Sequence, residues 1–298
     1  MPQPAAIVVI VNSSAGTAAK RERIEIELAD LFRAAGRETE VIALQRGQDP
    51  GAVARDASAR AAIVVAAGGD GTVSSVAAAV VGSPAALGVL PLGTLNHFAR
   101  DLHIPLDLAA AISVVVAGHI HQVDVGQVND RVFVNNSSIG IYPSIVEERE
   151  ALRRRGHRKW PAMALAALRV LREYRGVTVS VDIDGRRLTW RTPFVFVGNN
   201  EYDIDGLRVG ARARLDEGWL VVYRAPRVRA RQLPALVAKA LLGRRQAGDF
   251  EILPAGEIWI DAGARRVQVA IDGEVLSMPG PLHYRARPRA LRVVVPRT

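Results

Sequence analysis

The stretch Ala61–Thr72, AAIVVAAGGDGT, limits what this chain can fold into more than any other. Small and β-branched apolar residues run without a break into Gly68-Gly69-Asp70-Gly71-Thr72, and Val73–Val81 then has the composition of a helix. A continuous apolar run closed by a glycine cluster and followed by a helix describes a buried strand, a tight turn and a helix start. Such a turn lets backbone N–H groups approach an anion, and a helix N-terminus favours negative charge there. Asp70 adds a second constraint, because a carboxylate repels a phosphate unless a divalent cation such as Mg2+ lies between them. The loop reads as a metal–nucleotide site. The plainer alternative is a strand–turn–helix junction in which Asp70 or Thr72 caps the helix.

Around this stretch, residues 5 to 118 alternate strand and helix. Ala5–Val11 is an apolar run and hence a strand, ending in the turn Asn12-Ser13-Ser14-Ala15-Gly16-Thr17. A helix follows, with Ile24, Leu28, Leu31, Phe32 and Ala35 on one face and Gly36 as its stop. Glu40–Leu44 is a second strand and Pro50–Arg60 a short helix; Ala86–Leu90 is a fourth strand leading into Pro91-Leu92-Gly93-Thr94-Leu95-Asn96, with a helix over Leu106–Ala117. Repeated β-α units with continuous apolar strands predict a parallel, doubly wound sheet over residues 1–120. Ligands of such sheets bind at the carboxyl ends of the strands, where the loops at Asn12, Gly68 and Gly93 all fall.

After Ile120 the rhythm becomes antiparallel, and a β-sandwich-like second domain is expected over 121–286. His121–Val128 and Arg131–Val134 flank the turn Asn129-Asp130, and Val177, Val179, Val181 and Ile183 alternate into Asp184-Gly185. Pro193–Val197, Trp219–Arg224, Glu257–Asp261, Val267–Ile271 and Leu282–Arg287 are further strand candidates, with helical insertions near Glu147–Tyr174 and Arg229–Leu242. The segment 287–298, apolar at Leu291, Val293, Val294 and Val295, is a candidate to complete the first domain.

Composition narrows the function classes. Hydrophobic residues are 49% and charged residues 23%, the proportions of a globular protein. The absence of cysteine excludes disulfides, thiolate zinc sites and a cysteine nucleophile, and fits a cytoplasmic setting. The first residues read as a strand and not a signal peptide, and Pro84 and Pro91 interrupt the most apolar window, so no membrane-spanning helix is expected. The net charge of +9, almost wholly arginine, predicts anionic partners. No nucleic-acid-binding motif accompanies that charge, so nucleic acid is not expected. There is no GxxxxGK[ST] run and no GxGxxG after a strand, which disfavours P-loop and dinucleotide-binding readings.

Three separated motifs carry a family resemblance. GGDGTV at Gly68–Val73, PLGTLNHFA at Pro91–Ala99 and DGE at Asp272–Glu274 resemble the catalytic domain of the diacylglycerol kinase and sphingosine kinase family, and more closely the bacterial soluble lipid kinases. The resemblance covers essentially the whole chain. It implies an NAD kinase/phosphofructokinase-like first domain, ATP and Mg2+ as cofactors, a lipid alcohol such as diacylglycerol as phosphoryl acceptor, and ATP lying between the two domains. The nucleotide residues it implies are Asn12, Ser13, Ser14 and Gly16; Gly68, Gly69, Asp70, Gly71, Thr72 and Val73; and Gly93, Thr94 and Asn96. Phosphoryl transfer needs positioning and charge neutralisation more than covalent chemistry, and these residues supply both.

By the same resemblance Glu274 is the general base that takes the proton from the lipid hydroxyl, with Asp70 the competing candidate, favoured instead for metal and phosphates. Read without it, Asp272-Gly273 is a hairpin turn and Glu274 a solvated strand residue. Ala213–Trp219 resembles the family's structural metal loop, with Arg214 and Trp219 as carbonyl ligands and Glu217, where the family usually has Asp, as carboxylate ligand. His97 stands where the family usually has another Asp. Arg149, Arg153–Arg155, His157–Trp160 and the apolar Met163–Leu171 have the composition of a segment in peripheral contact with an anionic membrane, or of a solvated helix. A monomer or homodimer is expected. The competing functions are a kinase of a soluble substrate using the same loop, as NAD kinases do, and a non-catalytic nucleotide-sensing protein.

Overall fold

The computed structural model describes residues 7–12, 18–141, 143–146, 176–203, 210–224 and 251–297. Ser13, Ser14 and Gly16, the basic insertion from Arg149 and both proposed helical insertions lie outside the described residues. The chain divides into two compact units, Met1–Val125 with Pro288–Thr298, and Gly126–Arg287.

The first unit is built on four parallel strands in the order β2 (Glu40–Ala43), β1 (Ile7–Val11), β3 (Ile63–Gly68) and β4 (Ala86–Pro91). Buried residues occupy every position of β1 and β4, which is why those stretches read as unbroken apolar runs. Helices α1 (Ala18–Ala34) and α5 (Leu108–Ala117) pack together, as do α2 (Pro50–Ser58) and α3 (Asp70–Val80), giving the two groups a doubly wound sheet requires. Asp49 and Asp107 cap α2 and α5 through their carboxylates, and Gly118 ends α5 in the left-handed conformation. A fifth helix, α4 (His97–Asp101), is too short to announce itself by periodicity.

The direction of winding reverses between β1 and β3, so the carboxyl ends of those two strands form the topological switch point at which open α/β sheets bind ligands. The residues that follow them are Asn12 and the GGDGT loop.

The second unit is an antiparallel β-sandwich. One sheet is β12 (Glu251–Ala255), β11 (Leu220–Arg224), β10 (Phe194–Asn199), β7 (Asn136–Gly140), β14 (Arg266–Ile271) and β15 (Glu274–Pro279). The facing strands are β8 (Val177–Ile183), β9 (Arg186–Thr192), β13 (Glu257–Asp261) and the first half of β16 (Leu282–Val295), with the hairpin of β5 (His119–Val128) and β6 (Arg131–Phe133). Inward residues of both sheets, among them Phe133, Ile139, Trp190, Val197, Ile258 and Tyr284, make one core.

Sequence pattern missed β7, which is a central strand. Its NSSIG sequence carries Ser137 and Ser138 at buried positions, and the Ser137 hydroxyl is satisfied by the Tyr284 hydroxyl at 3.1 Å. The division between the units falls inside β5 and again inside β16. The far half of β16 belongs to the first unit, where Val293 pairs in parallel with Leu87 and Leu291, Val293 and Val294 are buried. There Asp124, itself buried, accepts the backbone N–H of Arg289 at 2.8 Å.

Candidate active site

At the switch point, three loops are tied to one another by side chains that the local sequence places at strand ends. Asn12, the first residue past β1, donates its amide to the Thr72 hydroxyl at 3.0 Å, and its backbone N–H bonds to the carbonyl of Ala67. Thr72 is only 6% exposed, so this contact fixes the first turn of α3 against the end of β1.

Asp70 makes the second tie. Its carboxylate oxygens accept the backbone N–H of Asn96 at 3.1 Å and of His97 at 2.7 Å, satisfying the opening amides of α4. The plainer alternative, in which Asp70 or Thr72 caps α3, does not hold. The cap position is Gly69, which offers no side chain, because Asp70 is turned towards the neighbouring loop and Thr72 towards Asn12. The helix also begins at Asp70, earlier than Val73. With no side-chain cap, the N–H groups of Thr72 and Val73 turn back to the Gly69 carbonyl, and among the described residues those of Asp70 and Gly71 have no partner and can serve an outside anion.

The loop after β4 is closed by Asn96. This residue is buried in the left-handed conformation, with φ 53°; its Oδ1 accepts the N–H of Gly93 and its Nδ2 donates to the Gly93 carbonyl, each at 2.9 Å. Asparagine suits this position because its short amide can satisfy the backbone locally while tolerating positive φ. Thr94, Leu92 and Leu95 are left exposed.

The glycines divide by purpose. A Cβ at Gly68 would lie 2.8 Å from the Thr72 side chain, and one at Gly93 2.5 Å from the Gly69 Cα. A Cβ at Gly71 would meet nothing within 4 Å. Gly93 lets the two loops touch and Gly68 leaves room for the Thr72 side chain within its own loop, whereas Gly71 borders open space at the start of α3. A phosphate fits that arrangement: a bare backbone surface beside donors that no described residue takes up.

In the second unit, Asp272 and Gly273 form the β14–β15 turn with φ of 46° and 91°, and Glu274 opens β15 opposite Ile271. The Glu274 side chain is exposed, and no described residue bonds to it. Asp272 is heavily engaged: its carboxylate accepts the backbone N–H groups of Val134 and Asn135 at 2.9 Å and of Asn136 at 3.0 Å.

Beside it, Arg212 is 3% exposed and donates to the carbonyls of Val134 (2.7 Å) and Asn199 (3.0 Å) and to Asn135 Oδ1 (2.8 Å), with its guanidinium over the Tyr202 ring. The sequence signal for this network was the cluster of Asn135, Asn136, Asn199 and Asn200 at strand ends with Arg212 nearby. Only the fold shows that they converge.

In the Ala213–Trp219 loop, Arg214 pairs with Asp216 at 3.2 Å, Glu217 is half-buried, and the Trp219 carbonyl accepts the N–H of Asn200 at 3.2 Å. Among the described residues no group of three or more His, Asp or Glu side chains could hold a metal, so any ion here would depend on backbone carbonyls. No helix of the described residues is long and apolar enough to cross a membrane.

Two family models match the chain, one described as the diacylglycerol kinase catalytic domain over residues 6–128, the other as the YegS C-terminal NAD kinase beta sandwich-like domain over 139–295. The chain belongs to this diacylglycerol kinase/YegS-like family. A diacylglycerol kinase of Staphylococcus aureus (strain bovine RF122 / ET3-1) is 26% identical over 272 residues, covering 89% of this chain and 85% of that protein. One from Staphylococcus saprophyticus subsp. saprophyticus is 35% identical over 135 residues, 44% of each chain. A solved structure of a diacylglycerol kinase from Bacillus anthracis str. Sterne superposes with a TM-score of 0.69 at 18% identity, covering 97% of this chain and 96% of that one. A second structure from the same organism gives a TM-score of 0.74 at 20% identity over 99% of both chains. At such identities the structural likeness shows the fold alone.

Proposed function

We propose that the chain is an ATP-dependent lipid kinase that transfers the γ-phosphoryl group to the hydroxyl of diacylglycerol or a related lipid alcohol. The observation that carries this reading is the junction of the GGDGT and PLGTLN loops at the switch point, locked by Asp70 and Asn96 while the start of α3 remains uncapped. Diacylglycerol kinases among the relatives support the lipid acceptor.

In this reading the amides at Gly69–Gly71 and the Thr94 hydroxyl bind the phosphates, and Asn12 with Thr72 holds the floor of the loop. Each Asp70 oxygen accepts one N–H and keeps a second lone pair, so Asp70 would hold Mg2+ without leaving His97 and Asn96. Bound Mg2+ supplies charge neutralisation at the phosphates. Glu274 takes the proton from the acceptor hydroxyl, a task suited to a carboxylate with no competing bond among the described residues. Peripheral contact with anionic lipid belongs to the same proposal; sedimentation with anionic and with neutral vesicles tests it, and equal, negligible binding to both overturns it.

Incubation with Mg-ATP and a total lipid extract is expected to yield a phosphorylated lipid. Glu274→Gln should lower kcat at least about a hundredfold while ATP binding changes little. A chain inert towards lipids would overturn the proposal. The second reading, phosphorylation of a soluble alcohol, is favoured by the NAD kinase-like character of the matched β-sandwich. Assaying NAD and soluble alcohols beside the extract separates the two.

A further inference from the structure

We propose that Asp272 and Arg212 are positioning residues for Glu274, acting as two opposite charges that clamp one backbone segment between them. The inference rests on the reading of Glu274 as the base. Glu274 is exposed, so the place of its carboxylate is set by the backbone of the β14–β15 turn. That turn is anchored through Asp272, which is far more engaged than a hairpin demands. An Asn-Gly pair would make the same left-handed turn, yet Asp272 accepts three N–H groups, from Val134, Asn135 and Asn136, and returns its own N–H to the Asn136 carbonyl at 2.9 Å.

The same segment is gripped from its acceptor side. Arg212 holds the Val134 carbonyl and the Asn135 side chain, and reaches the end of β10 through the Asn199 carbonyl. Asn199 strengthens the joint, donating its N–H to the Asn135 carbonyl at 2.9 Å and its amide to the Val134 carbonyl at 3.0 Å. A buried guanidinium is costly unless fully hydrogen-bonded, and hydrophobic residues would usually stabilise the same space as well. A charged clamp at this spot is accounted for by precision: the tip cannot slide along β7 without leaving three amides and the Asp272 carboxylate unmatched, while Arg212 keeps the segment that carries those amides in place.

Asp272→Asn tests this directly. Asparagine tolerates the left-handed turn but presents an amide donor where the carboxylate met an N–H. With the lipid alcohol that wild type phosphorylates, Asp272→Asn should lower kcat about ten- to a hundredfold, the cost of misplacing a reacting group by about an ångström. KM for ATP should stay within about twofold. In a Glu274→Gln background the same change should bring no further loss, because a residue that acts only through Glu274 has nothing left to position.

A full further loss in that background, or wild-type kcat in Asp272→Asn alone, overturns the inference while leaving Glu274 as base. An active Glu274→Gln overturns the base assignment itself. Should Asp272→Asn fail to fold, amide exchange of the wild-type protein decides: Val134, Asn135 and Asn136 should exchange as slowly as the core of β10, and fast exchange there overturns the clamp.

Discussion

A methyl group at Gly93 would press on the Gly69 Cα at 2.5 Å, a backbone atom that no rotamer change can move aside, whereas one at Gly71 would enter open space. The two substitutions should therefore part company. Gly93→Ala is expected to break the contact between the loops and lower stability by about 1–3 kcal/mol, as other overpacking changes do. Gly71→Ala lies in α3 and should leave stability unchanged or raise it by up to about 1 kcal/mol, yet weaken ATP binding by crowding the phosphate. Urea unfolding together with nucleotide titration distinguishes them. Asp70→Ala removes two charge-assisted bonds to α4 and should cost about 1–3 kcal/mol. The glycine cluster was legible in the sequence as a tight turn between a strand and a helix, but the bonds of Asp70 to the next loop were not. Its partners are 26 and 27 residues away, and a carboxylate beside glycines looks the same whether it faces a metal or a backbone amide.

At the scale of elements, what could be read was what has period. The parallel strands showed as apolar runs, and the second-unit hairpins showed as alternation with Asn-Asp, Asp-Gly and Asp-Gly turns. β7 and α4 had no such signal, since one buries serines and the other is a single turn tied from outside by Asp70. Caps are testable at this scale: Asp107→Ala removes the acceptor for the Ala110 N–H and should cost about 1 kcal/mol in thermal or urea unfolding. Glu40 of β2 forms a two-pronged pair with Arg60 beyond α2, and the guanidinium holds its carboxyl below the usual glutamate range. A lowered acid pKa stabilises the fold above the unfolded value and loses that stabilisation as pH falls through the folded value. Both side chains are over a third exposed, so the pair contributes less than about 1 kcal/mol. Glu40→Gln should differ from wild type near neutrality and converge with it in acid, a difference that urea midpoints at both pH values will show.

For the whole molecule, the two units respond differently to base. Burial pushes the Tyr223 phenol up to about 12, partly offset by the N–H it accepts from Tyr202, and burial raises Tyr284 further; both belong to the second unit. The unfolded chain gives up these protons near pH 10, before the folded unit does. Stability of the second unit should thus be flat up to about pH 10 and fall as pH rises towards 12, followed by unfolding midpoints and tyrosinate absorbance. The first unit has no such buried phenol among its described residues. Each unit also has its own dependence on chain length. Residues 126–287 hold a complete sandwich core, whereas residues 1–125 lack Leu291, Val293 and Val294, so the former fragment should unfold cooperatively and the latter should be readily proteolysed.

The strand that supplies those three residues has a consequence for synthesis. Val293 finds Leu87 only after every residue of the sandwich has been translated, so the first unit, begun first, is finished last. Contacts of that sequence separation are slow to form. While the ribosome works through the second unit, the first waits with the edge of β4 uncovered. Nascent chains paused before residue 288 should therefore be the ones that chaperones hold, and release should follow the emergence of β16.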